Sequence, residues 1–293
     1  MLTKSTLYVV ATPIGNLRDI SLRALDVLTA VDAVAAEHVH ITQRLLAQHA
    51  IYTRIITLNQ HNERAATGKI SGMLAAQKSV ALVTDAGTPG VSDPGALLIR
   101  HVKEQGHRVV PIPGANAAVC ALSASGLVAP HFLFYGFLPA KSVERQRKLE
   151  SLKSLSSCIL IFHEAPHRLL ECITDMIVVF GKQRQITIAR ELTKLFETIY
   201  TVDLGNALTW LQSDENQQKG EFVLLLSPAA ASENNKEITE QAEHTLHILM
   251  ENMPLKQAVQ LTAEITGENR KKLYAFALSK KGSVVQPLKM QDD

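Results

Sequence analysis

Three short segments carry residue types that let backbone come close to a ligand: Thr12-Pro13-Ile14-Gly15-Asn16, residues 85–90 (Asp-Ala-Gly-Thr-Pro-Gly), and Pro113-Gly114-Ala115-Asn116. Glycine in such elbows admits positive φ and leaves space where a side chain would stand. The second elbow continues to Gly95 in a run dominated by Gly, Pro, Asp, Ser and Thr. Each follows an apolar run of strand length, and in an open α/β sheet such elbows gather at the carboxyl edge, where ligands bind. Taken together they predict a cleft. Neither a GxxxxGK[ST] cradle nor a GxGxxG helix opening is present, and Arg18 is the one basic residue beside an elbow. A polyphosphate ligand is thereby disfavoured, and a neutral or zwitterionic nucleoside-like ligand fits better.

Other constellations are weaker. Glu37, His38, His40 and His61 can be drawn as a zinc set, because alternate residues of a strand share a face. The set has no cysteine partner and its third ligand is a guess, so no metal is expected. Ser92 and Asp93 lack an assigned histidine and a GxSxG elbow, which argues against hydrolase chemistry. Basic residues cluster at Lys141, Arg145, Arg147 and Lys148, and again at Arg270, Lys271 and Lys272. Either cluster reads as a solvated helix face or as a set of phosphate contacts.

The elements that must position these residues follow from apolar patterning. Runs at 7–11, 33–36, 80–84 and 108–112 are nearly continuous and β-branched, as expected of parallel strands covered on both faces. Helical stretches follow at 21–29 and from 117 to 125. The texture changes near 126–130. Beyond an aromatic-rich segment at 132–139, helices are expected at 143–152 and 166–179, with strands near 158–162, 186–189, 196–202 and 222–226. Residues 227–236 read as a linker rich in Ala, Ser, Asn and Glu. Three short helices follow, at 238–250, 255–266 and 268–278. The expected domains are 1–126, with a mostly parallel sheet; 127–228, α/β with a mixed sheet; a linker at 229–236; and a small helical domain at 237–293.

Composition narrows the class. The chain has 293 residues, 46% hydrophobic and 20% charged, with a formal net charge of +2. That charge is too small for attachment to nucleic acid by bulk electrostatics, though local patches remain available. No apolar run approaches the roughly 18–20 residues of a membrane span, and the first residues lack a signal-peptide pattern. Cys120, Cys158 and Cys172 are odd in number and widely spaced, so free thiols and a cytoplasmic location are expected.

Several motifs then occur in order: 10–17 (Val-Ala-Thr-Pro-Ile-Gly-Asn-Leu), 85–89 with Ser92-Asp93-Pro94-Gly95, Gly136-Phe137-Leu138-Pro139, Pro166-His167-Arg168 and Arg190-Glu191-Leu192-Thr193-Lys194. With these, nearly the whole chain resembles the ribosomal RNA small-subunit methyltransferase I family, of tetrapyrrole-methylase fold. The resemblance implies transfer of a methyl group from S-adenosylmethionine to the ribose 2′-oxygen of a cytidine in the decoding centre of 16S ribosomal RNA. It also implies two α/β domains with the donor in the cleft between them, and a homodimer. Carried over by motif, the donor would be lined by Pro13, Gly15, Asp85, Ala86, Gly87, Thr88, Pro89, Val91 and Ser92. Pro113, Gly114 and Ala117 would join them, with Leu138, Leu192 and Gly220 closing the site from the second domain. The basic residues above become candidates for contacts to 16S RNA in the small subunit. One segment departs from the family: Glu37-His38-Val39-His40 stands where Glu-Asp-Thr-Arg is typical.

A ribose hydroxyl attacks a methyl group readily only when its proton has an acceptor. Glu37, acidic at a strand terminus, is the leading candidate base; Glu191 and Lys194 are the others, with salt bridging as their alternative role. Two rival readings remain: a methyltransferase acting on a small tetrapyrrole, and an RNA- or ribosome-binding protein that keeps the donor pocket without catalysis.

Overall fold

The computed structural model describes residues 3–59, 62–229, 238 and 240–281. The chain divides into two compact units, Met1–Pro228 and Ala229–Asp293. Unit 1 contains two five-stranded sheets.

The first sheet is built from β1 (Thr6–Val10), β2 (Ala33–Ala36), β3 (Ile55–Thr57), β4 (Val80–Val83) and β5 (Arg108–Ile112), in the order β3-β2-β4-β1-β5 and parallel throughout. Its crossover helices are α1 (Leu22–Ala30), α2 (Val39–Gln48), α3 (Glu63–Ala75) and α4 (Ala96–Glu104). β1, β2 and β4 are buried along their whole length, which is why their sequences run apolar without alternation. Val10, Val34 and Val83 pack on one face against α1 and α2, while Leu7, Leu82 and Val80 pack on the other against α3 and α4. The Ser21 side chain accepts the backbone N–H of Ala24 at 3.1 Å and starts α1. Strand β3 was not anticipated: three residues give no periodic signal.

The second sheet comprises β6 (His131–Phe137), β7 (Cys158–Glu164), β8 (Gln185–Arg190), β9 (Thr198–Asp203) and β10 (Phe222–Leu226), ordered β6-β7-β10-β8-β9. β6 and β7 are parallel and the other pairs antiparallel, so the sheet is mixed, as expected. One face is covered by α6 (Ser142–Leu152), α7 (Leu169–Phe180) and α8 (Leu204–Ser213), around Phe162, Ile173 and Leu224. The other face packs Ile161, Ala189 and Leu225 against Ala118 and Ala121 of α5 (Ala117–Ala124), together with Ile14. This core couples the first elbow and α5 to the second sheet.

Unit 2 consists of α9 (Glu240–Asn252), α10 (Leu255–Thr266) and α11 (Arg270–Lys281), closed around Leu246, Val259 and Leu273. Gly267, at φ +76°, ends α10 in the left-handed conformation that glycine adopts freely. The linker expected at 229–236 lies, beyond Ala229, outside the described residues. All three cysteines are free. Among the described residues, no helix is long and apolar enough to cross a membrane.

Candidate functional site

Topology brings the three elbows together. They follow β1, β4 and β5, which are neighbours in the sheet in the order β4-β1-β5. Thr12 and Gly87 exchange backbone hydrogen bonds of 2.8 and 3.0 Å, the Thr12 hydroxyl donates to the Thr84 carbonyl at 3.0 Å, and the Thr88 hydroxyl donates to the Ala115 carbonyl at 3.1 Å. The loops are thus tied into one edge rather than left as separate turns. Gly87, at φ +83°, has its nearest neighbour 3.6 Å from the place where a Cβ would stand. It therefore offers bare backbone to whatever lies alongside.

The second sheet completes the wall for a similar reason. β10 runs antiparallel between β7 and β8, so its first residue, Phe222, pairs with both Glu164 and Arg190 at their ends. The resulting cleft has a volume of about 270 Å³. Ile14, Ala86, Gly87, Thr88, Asn116 and Ala117 line it from the elbows, and Val91, Ser92 and Asp93 from the extended second elbow. Phe137, His163, Glu164, Leu192, Glu221 and Phe222 face them from the second sheet. Three carboxylates and no lysine or arginine line the cleft.

His163 lies between Phe134 and Phe137, with ring centroids 4.9 and 5.4 Å away. Burial lowers its pKa, which keeps the ring neutral, and its buried Nε2 has no hydrogen-bond partner. Asp93 is raised to about 6, first by burial and then by the charges of Glu37 and Asp85. Glu37 is raised chiefly by burial, with Asp85 adding and His38 opposing. It follows β2, the strand beside β4, and so reaches Asp85 at the start of the second elbow.

At this rim Asp85 Oδ2 lies 2.6 Å from His38 Nδ1. Ligand atoms of Glu37, His38 and Asp85 all fall within 4.8 Å of one another, close enough for a cation. Asp85 already engages the Nδ1 of His38. His40 meets His38 edge-on at 5.9 Å between ring centroids; His61, of the zinc set considered from sequence, lies outside the described residues.

The residues expected at the donor divide into groups. Ala86, Gly87, Thr88, Val91, Ser92, Ala117 and Leu192 line the cleft. Pro13, Gly15 and Asp85 instead line a second recess on the other side of the first elbow. Pro89 faces a separate hollow beside Ile99 and Lys103. Pro113 and Gly114 lie outside the lining, and Gly114 packs against Ala11. Leu138 is 2% exposed in the core under the second sheet, and Gly220 packs against the Glu191 side chain. Phe137, His163, Glu164 and Phe222 were not singled out beforehand. Polar His163 closing the apolar run of β7 was the available signal.

Glu191 and Lys194 take the salt-bridging arrangement that was their alternative role. Lys194 Nζ lies 2.8 Å from Glu191 Oε1 and 3.1 Å from Glu221 Oε2, and Glu191 also accepts the Glu221 backbone N–H at 2.9 Å. Burial would raise the Glu191 carboxyl, but the Lys194 and Glu221 bonds outweigh it and hold it below its usual range. A carboxylate so satisfied is a poor base, so Glu191 and Lys194 form a clasp on the loop that carries Leu192. The Gly15 backbone abuts that loop: a Cβ there would stand 2.6 Å from Lys194 Cγ.

Arg145 is corrected. It is fully buried, with Nε 2.6 Å from Asp175 Oδ2 and a guanidinium nitrogen 3.0 Å from the Ala140 carbonyl; no phosphate reaches it. Lys141 and Arg147 are exposed, and Lys148 lies 5.2 Å over the Tyr135 ring. In unit 2, Arg270 and Lys271 are exposed and Lys272 half-buried at the start of α11, with Arg270 3.3 Å from Glu264.

Comparison with known proteins agrees with this architecture. Residues 6–208 match the family described as Tetrapyrrole (Corrin/Porphyrin) Methylases, and residues 236–281 match the RsmI C-terminal HTH domain. Among solved structures, a cobalt precorrin-4 methyltransferase superposes with a TM-score of 0.58 at 15% identity, over 76% of this chain and 95% of that one. Uroporphyrin-III-C-methyltransferase from Thermus thermophilus gives 0.52 at 17% identity, over 76% and 94%. These show the fold alone. The Ribosomal RNA small subunit methyltransferase I of Pseudomonas aeruginosa is 46% identical over 96% of this chain and 99% of its own length. The protein of the same name from Escherichia coli O157:H7 is 44% identical over 96% and 97%. Similarity of this degree along both units leads to one assignment: the chain belongs to the ribosomal RNA small subunit methyltransferase I family, built on the tetrapyrrole methylase fold.

Proposed function

We propose that the protein methylates small-subunit ribosomal RNA with S-adenosylmethionine as donor, at the ribose 2′-oxygen of a cytidine in the decoding centre. The observation that carries the reading is the cleft shared by both sheets, with Asp93, Glu164 and Glu221 in its lining and no lysine or arginine. Glu164 is paired with Arg168 and Glu221 with Lys194, which leaves Asp93 as the carboxylate that can attract a cationic sulfonium or ammonium. The bare Gly87 backbone and the unpartnered His163 Nε2 supply places for donor atoms.

Bound there, the donor supplies an electrophilic methyl group. The chain's own contribution is chiefly position, since holding two reactants in line removes much of the barrier. The apolar wall of Ile14, Val91, Phe137 and Leu192 keeps water from the methyl group. Glu37, with its raised carboxyl affinity for protons, takes the ribose proton. Lys141, Arg147 and Lys148 on unit 1, and Arg270, Lys271 and Lys272 on unit 2, contact RNA phosphates. The working organisation is a cytoplasmic homodimer, with domains at 1–126, 127–228 and 237–293.

The departure at 37–40 favours a second reading, in which donor and RNA bind without transfer. Mapping ribose methylation in small-subunit RNA from cells with and without the protein, with calorimetry of donor binding, separates the two. Loss of one methyl mark in the deleted strain supports transfer. Donor binding with an unchanged methylation map supports the second reading.

A further inference from the structure

Behind the first elbow lies a recess of about 210 Å³ that the donor reading leaves without a role. Pro13 and Leu17 form one wall, Ile41 and Leu45 of α2 the other. Thr84, 2% exposed, also lines it, and its buried hydroxyl has no hydrogen-bond partner. Arg44 lines it from the exposed side of α2 and makes no hydrogen bond or ion pair among the described residues. Two apolar walls, a buried polar group without a partner and a free planar cation at the rim match a nucleotide. The base would lie between the walls, its polar edge would meet the hydroxyl, and the guanidinium would hold the phosphate.

Location favours the nucleotide that reacts. The recess and the donor cleft share their dividing wall: Ile14 faces the cleft while Pro13 and Gly15 face the recess, and Ala86 faces the cleft while Asp85 faces the recess. A ligand in the recess is therefore about one residue's thickness from the donor. Glu37 and His38 stand beside Asp85, which lines the recess. We propose that this recess takes the unstacked base of the acceptor nucleotide, with Arg44 on its phosphate, and so presents the ribose to the donor cleft. The proposal rests on the RNA-methylation reading above. Enzymes that act on one nucleotide within a structured strand commonly withdraw it from its stack into such a hollow.

The test uses the full-length protein and a short single-stranded RNA carrying one fluorescent cytidine analogue, whose emission changes when the base leaves its neighbours. Ile41→Trp fills the recess from a position already 37% exposed, and Arg44→Ala removes the rim cation from an exposed site. In each, RNA affinity should fall about tenfold and the emission change should shrink, while donor affinity by calorimetry stays within about twofold. RNA affinity and emission within twofold of the parent in both variants would overturn the proposal. So would an Ile41→Trp variant that loses its dimer while binding RNA normally, since the recess would then be covered by a second copy of the chain. A parent that binds donor but no RNA would sink the methylation reading itself, an outcome distinct from indifferent recess variants.

Discussion

Asp85 grips His38 twice: its Oδ2 lies 2.6 Å from His38 Nδ1, and its Oδ1 accepts the His38 backbone N–H at 3.3 Å. His38 is the residue that begins α2, and its side chain makes no capping bond to that helix. The carboxylate therefore pins the start of α2 to the end of β4. It also engages one of the two ring nitrogens.

Replacing His38 by Asp removes that grip and sets a third carboxylate beside Asp85 and Glu37. Like charges at such range disfavour ionisation and cost stability, here about 1 kcal/mol, or a fall of roughly 2–4 °C in melting midpoint. Adding His40→Arg should recover part of the loss by supplying a cation. Thermal denaturation at neutral pH checks both. An unchanged midpoint in His38→Asp would show that the pair contributes nothing to folding.

Glu37→Gln tests the base. Donor and RNA affinity should remain near the parent's, while the single-turnover methylation rate at saturation falls at least about a hundredfold. A rate within about threefold of the parent would leave positioning as the whole mechanism.

Asp93 carries a pH signature. Its carboxyl is raised from 3.8 to about 6 in the folded chain, so between those values the folded state binds more protons than the unfolded one. Stability therefore falls as pH rises through that window. Asp93→Asn should be the more stable form above pH 6 and equal to the parent below about pH 4. Because Asp93 is only half-buried, solvent screening limits the gain to about 1 kcal/mol. Denaturant midpoints at pH 4 and 7 measure it, and an equal difference at both values would refute the assignment.

Gly87→Val places a branched side chain at φ +83°, where only glycine is unstrained, and fills the cleft wall. Donor affinity by calorimetry should fall at least about tenfold. Unchanged affinity would remove the second elbow from the site.

Neutralising Arg270, Lys271 and Lys272 should weaken RNA binding and flatten its dependence on salt, because each lost phosphate contact lowers the slope by about one. Donor affinity should not change. An unaltered slope would give α11 a role other than RNA contact.

The sequence by itself determined β1, β4 and β5 and the elbows that follow them. Unbroken runs such as Val80-Ala81-Leu82-Val83 mark strands covered on both faces, and Gly and Pro mark where the chain turns at their ends. Its ordered motifs also determined the family, because residue identities in series carry that information without coordinates. Which hollow each elbow residue faces was not legible there. Pro13, Ile14 and Gly15 are consecutive, yet Ile14 looks into the donor cleft while its neighbours line the recess behind it. Glu37 and Asp85 are 48 positions apart and meet only because β2 and β4 are neighbours in the sheet. Arg145 reads as one more cation in a basic helix until its partner Asp175, on another helix, buries it. Strand order and helix packing decide such encounters. They depend on contacts between residues distant along the chain, whereas periodicity and turn chemistry report only on neighbours within a few residues.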